Sequence, residues 1–241
     1  MALKDYAVLT FDCYGTLIDW ETGIERALTP WLARHGRPYD RARAMDAFGR
    51  HESAQQAETP GMLYPELLAA VHARIAADWG LPADPDDARA FGASVRDWPP
   101  FADSPDALAY LKRHYKLVIL SNVDRQSFSH SNARLGVDFD AVYTAQDIGT
   151  YKPDPRNFDY LIAHVADDLG LGRERILHTA QSLFHDHQQA RRHGLATCWI
   201  DRGSSERDGG AARVPQEAIP VDFRFPTLAA MCEAHRAEGA G

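Results

Sequence analysis

The chain has 241 residues, of which 45% are hydrophobic and 25% charged, and its formal net charge is −8. This is ordinary globular composition, the length allows one or two domains, and no apolar run reaches the roughly 18 residues that span a bilayer. An acidic chain without a dense Lys/Arg block is a poor partner for nucleic acid. Three cysteines without a CxxC spacing predict neither a disulfide framework nor a zinc site. With no apparent secretory signal, we expect a cytoplasmic protein.

Short apolar runs separated by helical patterns predict an α/β fold. Strands buried on both faces of a parallel sheet appear as continuous apolar runs, so we expect a parallel sheet with helices on both faces. The predicted strands are Tyr6–Phe11, Lys116–Leu120, Ala141–Thr144, Ile176–Thr179 and Ala196–Ile200. The predicted helices between and after them include Ser104–His114, Asn157–Leu169 and Asp186–His193.

The stretch from Trp20 to Pro99 contains no convincing strand and interrupts this alternation. Its pattern predicts a helical insertion between the first strand and the rest of the sheet. The predicted helices of this insertion are Thr22–Arg34, Asp40–Glu58, Tyr64–Trp79 and Asp84–Asp97. The polar segment after Gly203 is predicted to be a loop.

Polar side chains follow the predicted strands at the points where these strands end. Asp12 follows the first strand, Ser121 follows the second, Lys152 comes after the third and Asp186 after the fourth. Ligands of open α/β sheets bind beyond the carboxyl ends of the strands. We therefore expect these four side chains to converge at one edge of the sheet and to form a functional site.

The motifs FDCYGTL, LSN and YKPDP, followed by a fourth that ends in Asp186, together resemble the haloacid dehalogenase superfamily. The match spans residues 6 to about 201. The resemblance implies a Rossmann-like catalytic core formed by residues 1–16 and 100–241. It also implies that residues 17–99 form a helical cap domain over the site.

In that superfamily, the residue that matches Asp12 is a covalent nucleophile. It attacks the substrate and forms an aspartyl ester. A carboxylate is a weak nucleophile, so it needs positioning and partial desolvation. The resemblance implies that Thr16 holds its second oxygen, that Lys152 neutralises it, and that Asp186 orients Lys152 and the hydrolytic water.

Four further residues are candidates for roles in the same site. Ser121 and Asn122 would anchor a substrate carboxylate and shape the leaving-group pocket. Ser182 would hydrogen-bond near the ester, and His185 would contact the substrate or carry a proton. Each of these site residues could instead have a purely structural role. For example, Asp186 could cap a helix, and Lys152 could lie on the surface.

Tyr14 indicates the branch of the superfamily. Phosphatases usually carry a second Asp here, which protonates a leaving alkoxide, whereas a tyrosine with a pKa of about 10 is a poor acid for that task. A halide leaves without a proton. The fourth motif contains no acidic residue before Asp186, so it lacks the acidic pair that would bind Mg²⁺. Both features favour the metal-independent 2-haloacid dehalogenase branch, and no cofactor is implied.

The insertion would supply the rest of the substrate pocket. Arg50 is the candidate for binding the leaving halide, and Trp20 and Tyr64 are candidates for an aromatic wall. Other arginines of the same predicted helices compete with Arg50, namely Arg34, Arg41 and Arg43.

The best hypothesis is a hydrolase that converts a small 2-substituted carboxylate, such as an (S)-2-haloacid, to the 2-hydroxy acid. One alternative is ring opening of azetidine-2-carboxylate by the same nucleophile. Another is a phosphatase of the same superfamily, and a third is a non-catalytic binding module. The resemblance also allows a homodimer formed through the cap.

Overall fold

The computed structural model describes residues 1–203 and 218–239, and within these ranges the sheet has six parallel strands in the order β3-β2-β1-β4-β5-β6. The predicted polar loop after Gly203 lies outside the described residues. The α/β fold with a parallel sheet is confirmed. The strands are β1 (Val8–Phe11), β2 (Lys116–Ser121), β3 (Ala141–Thr144), β4 (Ile176–Ala180), β5 (Ala196–Ile200) and β6 (Phe223–Phe225).

The first strand lies at the centre of the sheet. In β1, Phe11 is in register with Ile119 of β2 and with Thr179 of β4. The carboxyl ends of these three strands therefore lie side by side. β6 was not predicted, because it is a three-residue edge strand whose aromatic side chains are only partly buried. Such a short run carries little pattern in sequence.

Helices cover both faces of the sheet, and neighbouring strand residues alternate between the two cores. Val8 packs with α8 and α9, whereas Leu9 belongs to the core that contains α5, α6 and α10. The short α7 follows β3. The bounds of these helices are α5 (Ser104–Leu111), α6 (Arg125–Leu135), α7 (Ala145–Ile148), α8 (Arg156–Leu169), α9 (Gln188–Arg192) and α10 (Leu228–Gly239). Within the described ranges, no helix is long and apolar enough to cross a bilayer.

Helices occupy the insertion, as predicted. Asp19 and Asp40 cap the first two helices by accepting hydrogen bonds from main-chain N–H groups. The predicted fourth helix is split, since its α-helix ends at Ala93 and a 3₁₀ turn continues to Asp97. The bounds are α1 (Trp20–Arg34), α2 (Arg41–Glu58), α3 (Tyr64–Asp78) and α4 (Pro85–Ala93).

Two connections link the insertion to the sheet, and they run side by side. The Asp19 N–H donates to the Pro99 carbonyl over 2.8 Å, and the Phe101 N–H donates to the Leu17 carbonyl over 3.0 Å. The Arg202 guanidinium donates to the Thr16 carbonyl over 2.8 Å and to Asp103 over 2.6 Å. The paired connections lie close to the predicted boundaries after residues 16 and 99, which stay a prediction.

Gly23→Ala tests how closely α1 packs against Trp98. An added Cβ would lie 2.3 Å from the Trp98 ring, which is fully buried. Alanine raises helix propensity by about 1 kcal/mol, but overpacking costs about 1–3 kcal/mol. We expect a net loss in the free energy of unfolding, measured by urea denaturation. Gly61→Ala is the control, because a Cβ there meets no atom within 4 Å. Equal stability of the two variants would contradict the close packing.

Candidate active site

One cavity of about 90 Å³ lies where β1, β2 and β4 end and the insertion faces the sheet. Such a volume holds several water molecules or a small organic acid. Nine predicted site residues line it, whereas Thr16, Ser121 and Arg50 do not. The lining residues are Asp12, Tyr14, Trp20, Glu52, Gln56, Tyr64, Asn122, Val123, Lys152, Gln181, Ser182, His185 and Asp186.

Lys152 lies at the centre of the polar part of this cavity and is 1% exposed. Its ammonium donates to Asp12 Oδ1 over 2.9 Å, to Asp186 Oδ1 over 2.6 Å and to the Leu120 carbonyl over 2.9 Å. An ammonium has three hydrogens, so all three are used. Lys152 is therefore a buried cation shared by two carboxylates, which excludes the surface position left open by the sequence.

Asn122 fixes the main chain of Lys152. Its amide Nδ2 donates to the Lys152 carbonyl over 3.0 Å, and its Oδ1 accepts from the Lys152 N–H over 2.7 Å. Both ends of the amide are thus engaged with the loop that carries the lysine. Asn122 was predicted to anchor a substrate carboxylate, whereas in the structure its side chain positions Lys152.

The second oxygen of Asp12 is held by Thr16, as the resemblance implied. Thr16 Oγ1 donates to Asp12 Oδ2 over 2.8 Å and accepts from the Gln181 N–H over 2.9 Å. Burial raises the pKa of Asp12 above its usual range, and the nearby charge of Asp186 adds to the rise. Lys152 and Thr16 lower the pKa but do not cancel these effects. The carboxylate is therefore positioned at both oxygens and more basic than an exposed aspartate.

Asp186 differs from Asp12 in its surroundings. Burial alone would raise its pKa, but the charge of Lys152 and the hydrogen bond from His178 hold the pKa of this carboxyl well below its usual range. His178 Nε2 lies 3.1 Å from Asp186 Oδ1, and His178 Nδ1 lies 2.8 Å from Thr10 Oγ1. Among the described residues, Asp186 Oδ2 is buried without a hydrogen-bond partner. Asp186 is thus a permanent anion with one oxygen available to a ligand or water.

His178 was not predicted as a site residue. Its hydrogen bond to Thr10 links β4 to β1, and its hydrogen bond to Asp186 links β4 to the segment that follows it. The sequence alone carries no signal for this role, because it depends on His178 lying opposite Thr10 in register. That register exists only once the strands pair.

Ser121 lies at the end of β2 and is 1% exposed. Its Oγ has no hydrogen-bond partner among the described residues. An unpaired buried hydroxyl is unfavourable unless a ligand or water satisfies it. Ser121 is therefore a buried hydroxyl next to Asn122, which lines the cavity, and it lacks a partner among the residues that the structure describes.

Ser182 and His185 also line the cavity, next to Asp186. Ser182 caps the one-turn π-helical segment Leu183–His187, and its Oγ accepts from the His185 N–H over 3.0 Å. The same Oγ lies 3.1 Å from His185 Nδ1. Asp186 lies inside this segment, so the helix-cap interpretation of Asp186 is wrong. The cap is Ser182, four residues earlier in the chain.

Aromatic side chains form the apolar wall of the cavity. The Tyr14 hydroxyl lies 2.8 Å from Ser131 Oγ of α6, and burial raises its pKa well above the usual value. The Tyr14 ring packs against Trp98 and Tyr64 at centroid distances of 5.5 and 6.3 Å. Trp20 packs on Phe48 at 5.4 Å. Tyr14 is therefore a neutral residue in the apolar wall of the cavity. This position carries no second acidic side chain beside Asp12.

Arg50 lies outside the cavity, contrary to its predicted role in halide binding. Its side chain is exposed and forms ion pairs with Asp46 and Asp78, each over 3.2 Å. An α-helix turns by about 100° per residue, so a residue two positions along α2 points to nearly the opposite side. That residue is Glu52, which lines the cavity together with Gln56.

The competing arginines also lie outside the cavity lining. Arg34 pairs with Asp87, Arg41 pairs with Glu21, and the Arg43 guanidinium lies over the Trp79 ring. Glu52 and Gln56 were not predicted as site residues, because binding of a halide requires a cation at this place. Their signal was the four-residue spacing Phe48–Glu52–Gln56, which places one face of α2 towards the site.

The side chains of this site do not fit a divalent metal. Within residues 1–203 and 218–239, no group of three or more His, Cys, Asp or Glu side chains could hold a metal ion. Mg²⁺ prefers oxygen ligands, whereas the Lys152 ammonium lies between Asp12 and Asp186.

The family profile described as "Hydrolase: haloacid dehalogenase-like hydrolase" matches residues 6–178. The chain belongs to the haloacid dehalogenase-like hydrolase family. The match covers β1 to β3, the whole insertion and the first residues of β4, and hence the sequence that carries Asp12 and Lys152. Searching curated protein sequences gives no match.

Solved structures of haloacid dehalogenase-like hydrolases share the fold over nearly the full length. A defluorinating L-2-haloacid dehalogenase, Rha0230, superposes with a TM-score of 0.79 at 21% identity, covering 98% of both chains. The L-2-haloacid dehalogenase of Xanthobacter autotrophicus with chloropropionic acid covalently bound gives 0.78 at 19% identity, covering 96% of this chain and 98% of that one.

The same fold also occurs in a relative with magnesium. The putative HAD-hydrolase YfnB from Bacillus subtilis, bound to magnesium, gives a TM-score of 0.74 at 17% identity, covering 96% of this chain and 99% of that one. At these identities the similarity establishes the fold. The similarity does not identify the reaction that this chain catalyses, which depends on its own side chains.

Lys152→Met tests the energetic role of the buried ammonium. Removing one partner of a buried ion pair costs about 3–5 kcal/mol, because an uncompensated charge is left behind. We expect a loss of that size in the free energy of unfolding, partly recovered when Asp186→Asn is added. The matched control is Lys116→Met, whose pair with Asp140 is exposed on the lysine side and contributes about 0–1 kcal/mol. Strictly additive costs of Lys152→Met and Asp186→Asn would contradict the coupling.

Proposed function

We propose that this hydrolase displaces the leaving group at C2 of a small 2-substituted carboxylate through an aspartyl ester on Asp12. The observation that carries the proposal is the placement of the Asp12 carboxylate, held at one oxygen by Lys152 and at the other by Thr16. A carboxylate fixed in this way next to a cavity is oriented for in-line attack on carbon.

The first step forms the ester. An oxygen of Asp12 attacks C2 with inversion, and the C2–leaving-group bond breaks with its electron pair. Asp12 loses its negative charge in this step. Lys152 still has Asp186 as its ion-pair partner, so the ammonium stays compensated throughout. In this proposal, the Ser121 hydroxyl, which has no partner within residues 1–203 and 218–239, donates to the substrate carboxylate.

The second step hydrolyses the ester. Water attacks the carboxyl carbon of Asp12, and the 2-hydroxy acid leaves with an oxygen that came from Asp12. Asp186 Oδ2, which has no partner among the described residues, is suited to accept a hydrogen bond from that water. The low pKa of Asp186 keeps it anionic for this task. In the L-2-haloacid dehalogenase of Xanthobacter autotrophicus, chloropropionic acid is covalently bound, which supports a covalent intermediate in the proposed reaction.

A phosphatase reaction receives less support from the same side chains. An alkoxide leaving group needs a proton donor. The neighbouring Tyr14 hydroxyl is engaged with Ser131 and has a raised pKa, so it is a poor donor. We therefore propose that the reaction does not require a metal and that phosphate esters are not the substrates.

Isotope labelling tests the ester route. During several turnovers of (S)-2-chloropropionate in H₂¹⁸O, we expect chloride release and ¹⁸O incorporation into the peptide that contains Asp12, measured by mass spectrometry. Asp12→Asn is the control and should release no chloride. Chloride release without label in Asp12 would contradict the ester. Magnesium-dependent hydrolysis of p-nitrophenyl phosphate at an enzyme-like rate would instead support the phosphatase, and no reaction with any substrate supports the binding module.

Asp186→Asn separates the two steps. The variant should still form the ester but hydrolyse it slowly, because the anion that orients the water is lost. We expect the covalent adduct to accumulate and to be visible as an increase in intact mass after incubation with substrate. Glu58→Gln on the exposed surface of α2 should accumulate none. If Asp186→Asn turned over at the wild-type rate, Asp186 would have no role in hydrolysis.

A further inference from the structure

The insertion presents an acidic side chain to the cavity. Phe48, Glu52 and Gln56 are spaced by four residues along α2, and the last two line the cavity. The Tyr64 hydroxyl donates to Glu52 Oε1 over 2.7 Å. This hydrogen bond joins α2 to α3 and fixes the carboxyl group on the insertion side of the pocket.

The charges that line the cavity are unfavourable for an anionic leaving group. Among the described lining residues, Asp12, Asp186 and Glu52 are carboxyl groups, and Lys152 is the sole Lys or Arg. All three hydrogens of the Lys152 ammonium are already donated within the protein. A departing halide would therefore meet a carboxyl group on the insertion side and find no free ammonium or guanidinium there.

The same surroundings suit a cation. Burial raises the pKa of Glu52 to about 7, while the hydrogen bond from Tyr64 opposes the rise. A positive charge placed beside Glu52 would favour its ionised form. The neighbouring walls are the aromatic side chains of Tyr14, Trp20 and Tyr64. Aromatic faces attract ammonium groups, and the attraction is stronger where water is excluded.

We propose that Glu52, held by Tyr64, forms the leaving-group site and favours a substrate whose leaving group at C2 is a ring ammonium over one that releases a halide. This inference rests on the proposed attack by Asp12 and names the substrate class for it. A strained cyclic 2-carboxylate such as azetidine-2-carboxylate is the simplest member of the class. It is a zwitterion, so it adds no net charge to an already anionic cavity.

The ring-opening reaction is balanced without a co-reactant other than water. Asp12 forms a C–O bond to C2, and the C2–N bond breaks with its electron pair moving to nitrogen. The nitrogen becomes a neutral primary amine that stays attached through the carbon chain. Water hydrolyses the ester, and the proton released from the water is taken up by the amine. Glu52 accepts hydrogen bonds from the ring ammonium before cleavage and from the product ammonium afterwards.

The experiment compares two substrates in the full-length protein. Opening of (S)-azetidine-2-carboxylate and chloride release from (S)-2-chloropropionate are measured for wild type and for Glu52→Gln, with ¹⁸O labelling of Asp12 for each. We expect wild type to open the ring with label in Asp12. We expect Glu52→Gln to lower the ratio of ring opening to chloride release at least tenfold. Glu58→Gln, the same substitution on the same helix but exposed, should leave the ratio at its wild-type value.

A binding measurement keeps the two proposals separable. In Asp12→Asn, calorimetry compares azetidine-2-carboxylate with cyclobutanecarboxylate, which has the same ring size and no nitrogen. We expect at least tenfold tighter binding of the azetidine, and loss of this preference in Asp12→Asn/Glu52→Gln. Tyr64→Phe, which frees Glu52 from its hydrogen bond, should keep most of the preference if the carboxylate is the recognising group.

The outcomes distinguish which proposal fails. Labelled chloride turnover without ring opening, or an unchanged ratio in Glu52→Gln, overturns the ammonium site and leaves the aspartyl ester standing. If neither substrate labels Asp12, the proposed ester chemistry fails, and the binding measurement then decides the role of Glu52 alone. Equal affinity for the two ring compounds overturns that role.

Discussion

Lys152 shares one buried ammonium between Asp12 and Asp186, and the arrangement of the site depends on this interaction. Two carboxylates so close together would otherwise repel each other, and one would take up a proton. The ammonium also donates to the Leu120 carbonyl, and Asn122 holds the Lys152 main chain through both ends of its amide. With all its hydrogens directed in this way, the lysine sets the geometry of Asp12 and separates the pKa values of the two carboxyl groups.

The sheet brings the partners of this ion network together. β1 lies between β2 and β4, so Asp12 leaves the sheet beside both the Ser121 end and the loop that carries Asp186. His178 and Thr10 extend the network beneath the site, where His178 holds Asp186. The insertion covers the apolar side of the cavity. In the proposed reaction, the polar side chains at the strand ends supply the chemistry, and the helical wall selects the leaving group.

Much of the fold and of the polar floor could be predicted from the sequence, because buried strands and the residues after them carry strong local signals. The strand runs, the insertion and the convergence of Asp12, Lys152 and Asp186 are examples. The wall of the insertion could not be predicted equally well. Which side chains of α2 face the cavity depends on the rotation of that helix, and this rotation is set by packing against α1 and α3. An error of two residues exchanges an exposed arginine, Arg50, for a lining carboxyl group, Glu52.

The sequence by itself determined the alternation of strands and helices and the chemical types that reach the sheet edge, because these depend on local pattern and on the common end of parallel strands. Only the tertiary structure decided that Asn122 serves the Lys152 main chain, that Tyr14 directs its hydroxyl to Ser131, and that Glu52 faces the cavity. The physical reason is common to all three. Each depends on contacts between segments far apart in the chain, and the local sequence pattern does not specify which segments meet.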